Sequence, residues 1–182
     1  MKVISGRLKG RKLFFLKDKN IRPTKDIVRE AVFDVLRGCI ENESVLDLFA
    51  GTGALGIEAF SQGAREIVFV ESDYEACRII KENVDFLAIS GACTIVRSSV
   101  EKAVENFKNA GFGLVLADPP YGYSGKRISD ILSAIVRLGV IRKGGIIVVE
   151  HERQNKIPVF EEITMYKEKK YGKSQVSYFL VL

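Results

Sequence analysis

Histidine, tryptophan and cysteine are scarce in this sequence, and their scarcity excludes several kinds of catalytic site. Of 182 residues one is a histidine, His151, and none is a tryptophan. A single histidine argues against a Ser-His-Asp triad and a histidine-based metal site, so we predict a structural role for His151 and no bound metal. The three cysteines, Cys39, Cys77 and Cys93, have no C-x-x-C spacing, which predicts buried thiols rather than disulfides.

Long apolar runs are missing as well. No segment reaches the roughly 18 consecutive apolar residues that a membrane-spanning helix needs, and the first six residues lack the apolar centre of a signal peptide. The sequence therefore predicts a cytoplasmic protein without membrane association. An apolar fraction of 47% over 182 residues suits one α/β domain with a small appendage.

Negative charge is scarce in the first 29 residues, which hold ten Lys or Arg and two Asp. Residues 1–29 have a net charge of +8, whereas the rest of the chain carries −3. A basic arm beside a near-neutral body indicates a polyanionic partner such as nucleic acid. The other interpretation is a solvated strand edge, because lysines commonly protect exposed strands. Arginines and glycine turns beside the lysines favour nucleic acid.

Residues 44–59 have the layout of a ligand site. Val45–Phe49 is an apolar run of strand length, interrupted only by Asp47, and a Gly-Thr-Gly turn at 51–53 follows it. From Ala54 the apolar spacing becomes helical. A strand, a glycine turn and a helix together present backbone N–H groups and a helix N-terminus to a polar ligand.

Two cofactors fit this stretch. Gly51–Gly56 matches the G-x-G-x-x-G dinucleotide pattern, and Glu71 follows Gly51 by 20 residues, where an acid can bind ribose hydroxyls. Nicotinamide dinucleotides and S-adenosylmethionine both carry that ribose. Asp47 suits a cationic methionine end, because a charge buried in a strand needs a partner. Since a dehydrogenase has no use for the later Asp118–Tyr121 loop, we predict S-adenosylmethionine.

Strands and helices alternate after Ser44, which predicts a parallel sheet with helices on both faces. Before it, a basic hairpin, a turn and one helix are predicted, the helix with Thr24 as N-cap and Ile27 on its apolar face. An antiparallel pair is predicted over 160–166 and 176–182. The other strands are expected near 44–49, 66–71, 93–97, 113–117 and 145–150, and the later helices near 54–62, 73–89, 100–109 and 126–138.

The loop Asp118-Pro119-Pro120-Tyr121 follows a buried-strand run and predicts chemistry on an amine. Two prolines fix the backbone and remove two N–H donors, which leaves carbonyls pointing outward. The Asp118 side chain and a loop carbonyl can each accept one N–H of a planar exocyclic amine. Tyr121 is placed to stack on the base. Together with the cofactor pattern, this loop predicts N-methylation.

The chain resembles the bacterial 16S rRNA guanine-N2 methyltransferases of the RsmD type. The resemblance runs nearly end to end, and the two central motifs, 47–56 and 118–121, are shared with many N-methyltransferases. More particular to this family are the segments Ile4-Ser5-Gly6, Gly10-Arg11-Lys12-Leu13, Arg22-Pro23-Thr24 and Val28-Arg29-Glu30-Ala31-Val32-Phe33. The sequence departs from many related enzymes after the third strand, where Arg97-Ser98-Ser99 offers no acid.

The resemblance implies an α/β fold of the Rossmann-like class I S-adenosylmethionine-dependent methyltransferases, with a seven-stranded sheet whose last strand is antiparallel. It implies a methyltransferase domain over 41–182 and an RNA-binding hairpin and helix over 1–40. The implied reaction is methylation of one guanine N2 in 16S rRNA of a partly assembled 30S subunit, by a monomer. Implied cofactor contacts are Asp47, Phe49, Gly51, Gly53, Glu71, Ser72, Ser99, Val100 and Asp118. Implied catalytic residues are Asp118, Pro119, Pro120 and Tyr121, and RNA contacts are Arg7, Lys9, Arg11, Arg22, Thr24 and Arg29.

Other functions remain open on the residues alone. The same chemistry could act on adenine N6 of DNA or RNA, or on a protein glutamine amide. A family of glutamine enzymes would more often have Asn in place of Asp118, and the chain has no separate DNA-recognition domain. A third interpretation is an RNA-assembly factor that binds the cofactor without turnover, against which the intact Asp118–Tyr121 loop argues.

Overall fold

The structure is a computed structural model and describes residues 1–15 and 26–182. Helices and strands alternate along most of this range. The helices are α1 (Asp26–Val35), α2 (Ala54–Ser61), α3 (Tyr74–Phe86), α4 (Val100–Asn106) and α5 (Gly125–Arg137). The strands are β1 (Ser44–Leu48), β2 (Glu66–Glu71), β3 (Cys93–Arg97), β4 (Phe112–Ala117), β5 (Ile141–Glu152), β6 (Ile163–Tyr171) and β7 (Ser174–Val181).

All seven strands form one sheet in the order β3-β2-β1-β4-β5-β7-β6. Strands β1 to β5 pair in parallel, as their apolar sequences and intervening helices predict. Strand β7 runs antiparallel to both of its neighbours, β5 and β6. The predicted seven-stranded α/β sheet with an antiparallel last strand is therefore confirmed.

Two hydrophobic cores lie on the two faces of the sheet, because successive side chains of a strand point to opposite faces. In β1, Val45 packs into one core and Leu46 and Leu48 into the other. Helices α1, α2 and α3 cover the first face, and α4 and α5 cover the second. Val3 and Leu13 are buried in the first core, so the N-terminal residues share their packing with the sheet.

Residues 1–15, the N-terminal arm, are fastened to α2 by a carboxylate. Glu58 is 1% exposed and accepts hydrogen bonds from the Ile4 and Ser5 amides at 2.9 and 2.8 Å. The Leu8 amide donates to Ser61 Oγ at 2.9 Å. Gly6 has φ +76°, and a Cβ there would lie 2.0 Å from the Ser61 carbonyl oxygen, so only glycine fits. The arm therefore has a fixed position on the helix that follows the glycine turn.

The N-terminal pairing is shorter than the predicted hairpin. Within residues 1–15 its two segments are joined by one antiparallel bridge, between Lys2 and Lys12, and residues 6–8 form a 3₁₀ turn. The intervening residues bend around Ser61 instead of extending into a ladder. The predicted N-cap Thr24 lies outside the described residues.

Three other expectations are wrong in detail. Ile27 was expected on the apolar face of α1 but is 71% exposed. The final strand pair was expected at 160–166 and 176–182. The first strand of the pair, β6, instead continues to Tyr171, and the second, β7, starts at Ser174. The cysteines were expected to be buried, but Cys39 is exposed and Cys77 and Cys93 are only partly buried; all three are free, as expected.

Within residues 1–15 and 26–182, no helix has the length and apolar character needed to cross a bilayer. The same ranges contain no cluster of three or more His, Cys, Asp or Glu side chains arranged to hold a metal ion.

Candidate active site

A cavity of about 410 Å³ opens at the carboxyl ends of the parallel strands. Its volume is within the range of small-molecule sites, and its place is the usual one for a ligand on a doubly wound sheet. The glycine turn, the end of β2, the start of α4 and the loop after β4 all contribute to its lining. Of the residues predicted from the sequence, those lining it are Phe49, Gly51, Glu71, Ser72, Ser99, Val100, Asp118, Pro119, Pro120 and Tyr121.

The glycine turn between β1 and α2 has left-handed backbone at three places. Gly51 and Gly53 have φ of 56° and 80°, and Phe49 has φ of 58° although it carries a side chain. Left-handed backbone in a phenylalanine costs about 1 to 3 kcal/mol and persists only where its surroundings enforce it. The Phe49 ring is held by an edge-to-face contact with Tyr123, with centroids 5.2 Å apart.

Glu71 joins the two turns that frame the cavity. One of its oxygens accepts from the Gly51 amide at 2.8 Å, and the other accepts from the Ser72 and Asp73 amides at 2.7 and 2.8 Å. Asp73 also caps α3 by accepting from the Ala76 amide at 2.9 Å. The carboxylate predicted to meet ribose hydroxyls is thus fixed in place by backbone donors.

Asp47 lies beneath the turn and is not part of the cavity lining. It is 1% exposed, and its Oδ2 accepts from the Gly56 amide at 2.9 Å, while Oδ1 is buried and has no hydrogen-bond partner in the part of the chain that the structure describes. Burial raises the pKa of Asp47 to about 8, which the Gly56 hydrogen bond opposes and the charges of Asp118 and Glu71 reinforce. Gly53 packs against Phe69 and Ile80 and is also absent from the lining.

Replacement of Asp47 by asparagine is expected to change how stability depends on pH. Because the pKa of Asp47 is raised to about 8, the folded chain keeps a proton between about pH 4 and pH 8 that the unfolded chain releases. The free energy of unfolding of the parent therefore falls as pH rises through this window, by at most about 1.4 kcal/mol per pH unit from this group.

Asparagine keeps the acceptor for the Gly56 amide but cannot ionise. The difference in unfolding free energy between the Asp47→Asn variant and the parent should therefore shift in favour of the variant as pH rises. Urea unfolding without cofactor between about pH 5 and pH 8 measures this difference. Parallel pH profiles for the two proteins would contradict a raised pKa at this position.

The loop after β4 brings the predicted catalytic residues to the cavity. Asp118, Pro119, Pro120 and Tyr121 all line it, and the Tyr121 side chain is 57% exposed at its mouth. The Pro120 carbonyl accepts from the Tyr123 amide at 3.3 Å. Because the Pro120 carbonyl already accepts this bond, the Pro119 carbonyl is the candidate acceptor for an amine.

Several residues of the site were not predicted from the sequence. Tyr123 lines the cavity between Phe49 and Arg127, whose guanidinium carbon lies 3.9 Å from the Tyr123 ring centroid. Arg127 also pairs with Glu101, another residue of the lining, at 2.8 Å, which links α5 to α4 beside the cavity. The sequence offered one clue to this part of the lining: a second tyrosine, Tyr123, lies two residues after the Asp-Pro-Pro-Tyr motif.

Ser98 lines the cavity at the end of β3, where related enzymes have an acid. Its Oγ is buried and has no hydrogen-bond partner within residues 1–15 and 26–182. Buried hydroxyls are normally paired, so this oxygen is available to a ligand. It lies beside Ser99, which caps α4 by accepting from the Lys102 amide at 3.4 Å.

The predicted RNA contacts divide into three groups. Arg7, Lys9 and Arg11 are exposed on the N-terminal arm. Arg22 and Thr24 lie outside the described residues. Arg29 is 0% exposed, lies 3.6 Å from Glu58 and donates to the Lys2 carbonyl at 2.5 Å, so the prediction that it contacts RNA is wrong. Its role is to hold the arm.

Comparison with known proteins shows relatives that match nearly the whole chain. Ribosomal RNA small subunit methyltransferase D of Buchnera aphidicola is 34% identical over 92% of this chain and 86% of its own length. The protein of the same name from Escherichia coli is 31% identical over 99% of this chain and 88% of its own length.

A solved structure shows the same architecture. The Escherichia coli protein yhhF is named as a methyltransferase. Its structure superposes on this one with a TM-score of 0.85 at 27% identity, and the match covers 100% of this chain and 97% of that one. The family model described as Conserved hypothetical protein 95 matches residues 1–180. The chain therefore belongs to this family, the RsmD-type methyltransferases that its motifs resemble.

Proposed function

We propose that this chain transfers a methyl group from S-adenosylmethionine to the exocyclic N2 amine of one guanine in 16S rRNA. The observation that carries the proposal is that the Asp118–Tyr121 loop and the Glu71-braced glycine turn line the same cavity. Relatives named ribosomal RNA small subunit methyltransferase D support the choice of substrate. We further propose a cytoplasmic monomer that acts on partly assembled small subunits.

The residues around the cavity fit this cofactor. Gly51 leaves space for a close approach of the ligand, and Glu71 lies where ribose hydroxyls need an acceptor. The Ser98 oxygen, which has no hydrogen-bond partner among the described residues, lines the cavity and fits the adenine. Asp47 lies outside the lining and would act on the methionine end only through the glycine turn, which it holds at the Gly56 amide. When bound, the cofactor supplies a methyl group on a positively charged sulfur.

Asp118 and Pro119 would orient the acceptor amine. A carboxylate oxygen and a carbonyl oxygen, each accepting one N–H, favour a pyramidal nitrogen whose lone pair points into the cavity. The lone pair of a guanine amine is conjugated with the ring, so positioning and local electrostatics supply most of the rate enhancement. Tyr121, exposed at the mouth, offers a face for the extruded base.

The test is transfer of labelled methyl groups to 30S particles, naked 16S rRNA and duplex DNA, followed by nucleoside analysis. N2-methylguanosine at one rRNA position is the expected product. If the product is N6-methyladenosine, the mechanism stands but the substrate is adenine N6, the alternative considered above. The absence of label despite measurable S-adenosylmethionine binding would overturn the proposed activity.

Replacing Arg7, Lys9 and Arg11 together by alanine should weaken RNA binding and flatten its salt dependence. All three are exposed on the arm, and each phosphate contact contributes about 0.7 to the slope of log K against log salt for a single strand. The expected loss of slope is about 2. A variant that lacks Lys167, Lys170 and Lys173, which are exposed around the β6–β7 turn, loses the same charge elsewhere. Equal effects of the two variants would restore the interpretation of the arm as a solvated edge.

A further inference from the structure

Arg11, Phe14 and Phe86 form a cluster on the surface, here called the aromatic platform. The Phe14 and Phe86 rings meet edge to face at 70° with centroids 5.4 Å apart, and their residues are 45% and 49% exposed. The Arg11 guanidinium carbon lies 5.3 Å from the Phe86 ring centroid, and its Nη2 donates to the Phe86 carbonyl at 3.3 Å. Two half-exposed rings that meet at this angle form a corner into which a flat group can stack.

The platform is held rigidly by one buried amide. Asn83 is 0% exposed; its Oδ1 accepts from the Phe14 amide at 2.7 Å, and its Nδ2 donates to the Phe14 carbonyl at 3.2 Å. Phe86 follows Asn83 by three residues on α3, which places the two on neighbouring positions of the helix surface. The fold therefore fixes the Phe14 backbone against α3, beside Phe86, before any partner binds.

The same amide connects the platform to the cavity. Asn83 Nδ2 also donates to the Thr52 carbonyl at 3.0 Å, and Thr52 lines the cavity. On the other side, the Leu13 amide donates to the carbonyl of Met1, which is also part of the lining. The platform and the cavity are therefore neighbours in the fold, joined through Thr52 on one side and Met1 on the other.

Charge complementarity identifies the occupant. Arg11 contacts Phe86, and Lys9 and Lys12 are further exposed cations within two residues of Arg11 on the N-terminal arm. Asp85, the acid next to Phe86, already bonds to Lys81 and Ser90 at 2.8 and 2.6 Å. Exposed aromatic rings among cations are how proteins bind single-stranded nucleic acid, because every base has a face that can stack.

We propose that the aromatic platform stacks an unpaired base of the RNA segment that flanks the methylated nucleotide. This inference rests on the proposed function for its substrate and adds a second base-binding position outside the cavity. The partner is single-stranded RNA, since a base paired in a duplex does not expose its faces.

Tryptophan fluorescence offers a direct test, because the sequence contains no tryptophan. A Phe86→Trp variant has a single emitter on the platform. A short single-stranded RNA of mixed sequence should quench its emission, and the same strand in a duplex should quench it much less. Unchanged emission with bound single-stranded RNA would overturn the platform, even if the protein methylates rRNA normally.

Substitutions separate stacking from simple packing. Phe86→Leu keeps much of the apolar volume and Phe86→Tyr keeps the ring, so we expect the first to lower the affinity for single-stranded RNA about tenfold and the second to preserve it. The matched control is Tyr166→Leu on β6, a residue 46% exposed, which should leave affinity unchanged. If Phe86→Leu weakened binding only to assembled 30S particles, the platform would contact ribosomal protein and the proposal would be wrong. Quenching without any methyl transfer would support the platform and contradict the proposed function.

Discussion

Replacement of Asp118 by alanine is expected to lower the rate of methyl transfer by about 10²- to 10³-fold. Asp118 lines the cavity at the end of β4. It provides the only carboxylate of the Asp118–Tyr121 loop. Without its oxygen the amine loses one of the two acceptors that set the direction of its lone pair. Single-turnover transfer to 30S particles at saturating cofactor measures the effect on chemistry rather than on binding.

Cofactor affinity is the control for this variant. Because Asp118 is assigned to the amine, titration with S-adenosylhomocysteine should give an affinity within a few-fold of the parent. An Asp118→Asn variant keeps a side-chain acceptor of similar size and should retain more activity than alanine. If cofactor binding collapses in the alanine variant, Asp118 holds the donor and the assigned role is wrong.

Replacement of Arg29 by methionine is expected to destabilise the fold by about 3 to 5 kcal/mol. Arg29 and Glu58 are 0% and 1% exposed and lie 3.6 Å apart. Burial lowers the pKa of Arg29, and the charges of Glu58 and Asp26 oppose that shift. Methionine has a similar length but no charge, so it leaves the Glu58 carboxylate buried without its cation and removes the bond to the Lys2 carbonyl. Urea unfolding provides the measurement.

The matched control is Arg37→Met. Arg37 also pairs with an aspartate three residues earlier, at 2.8 Å, but its side chain is 81% exposed. Exposed pairs of this kind contribute about 0 to 1 kcal/mol. A double variant, Arg29→Met with Glu58→Gln, removes both charges and should recover part of the lost stability. Equal effects for Arg29→Met and Arg37→Met would show that burial does not determine the contribution of Arg29.

The central strands were predictable because they are buried on both faces. β1, β2 and β4 are short, mainly apolar runs that each follow a glycine-containing turn, and both faces of such a strand need apolar side chains. β6 was misplaced because most of its residues are exposed and its lysines show no alternation. The length of β6 is set by its backbone pairing with β7, and the sequence of β6 alone does not reveal how far that pairing extends.

The site was predictable where motifs fix the backbone and unpredictable where distant residues meet. The glycine turn and the Asp118–Tyr121 loop end neighbouring parallel strands, so their meeting at one sheet edge follows from topology. Arg29 was misassigned because an arginine in a basic segment resembles a surface cation. The clue was Glu58, an acid on an otherwise apolar α2, whose burial requires a cation from elsewhere in the chain.

The position of β7 has a consequence for engineering the chain. Its backbone pairs with β5 on one side and β6 on the other, although it follows β6 in sequence. Shortening the chain from Ser174 onward would leave β6 with no strand to pair with and would expose the long edge of β5, so it would split the sheet rather than trim it. Insertions are better placed at Gly172 and Lys173, an exposed turn that contributes no side chain to either core.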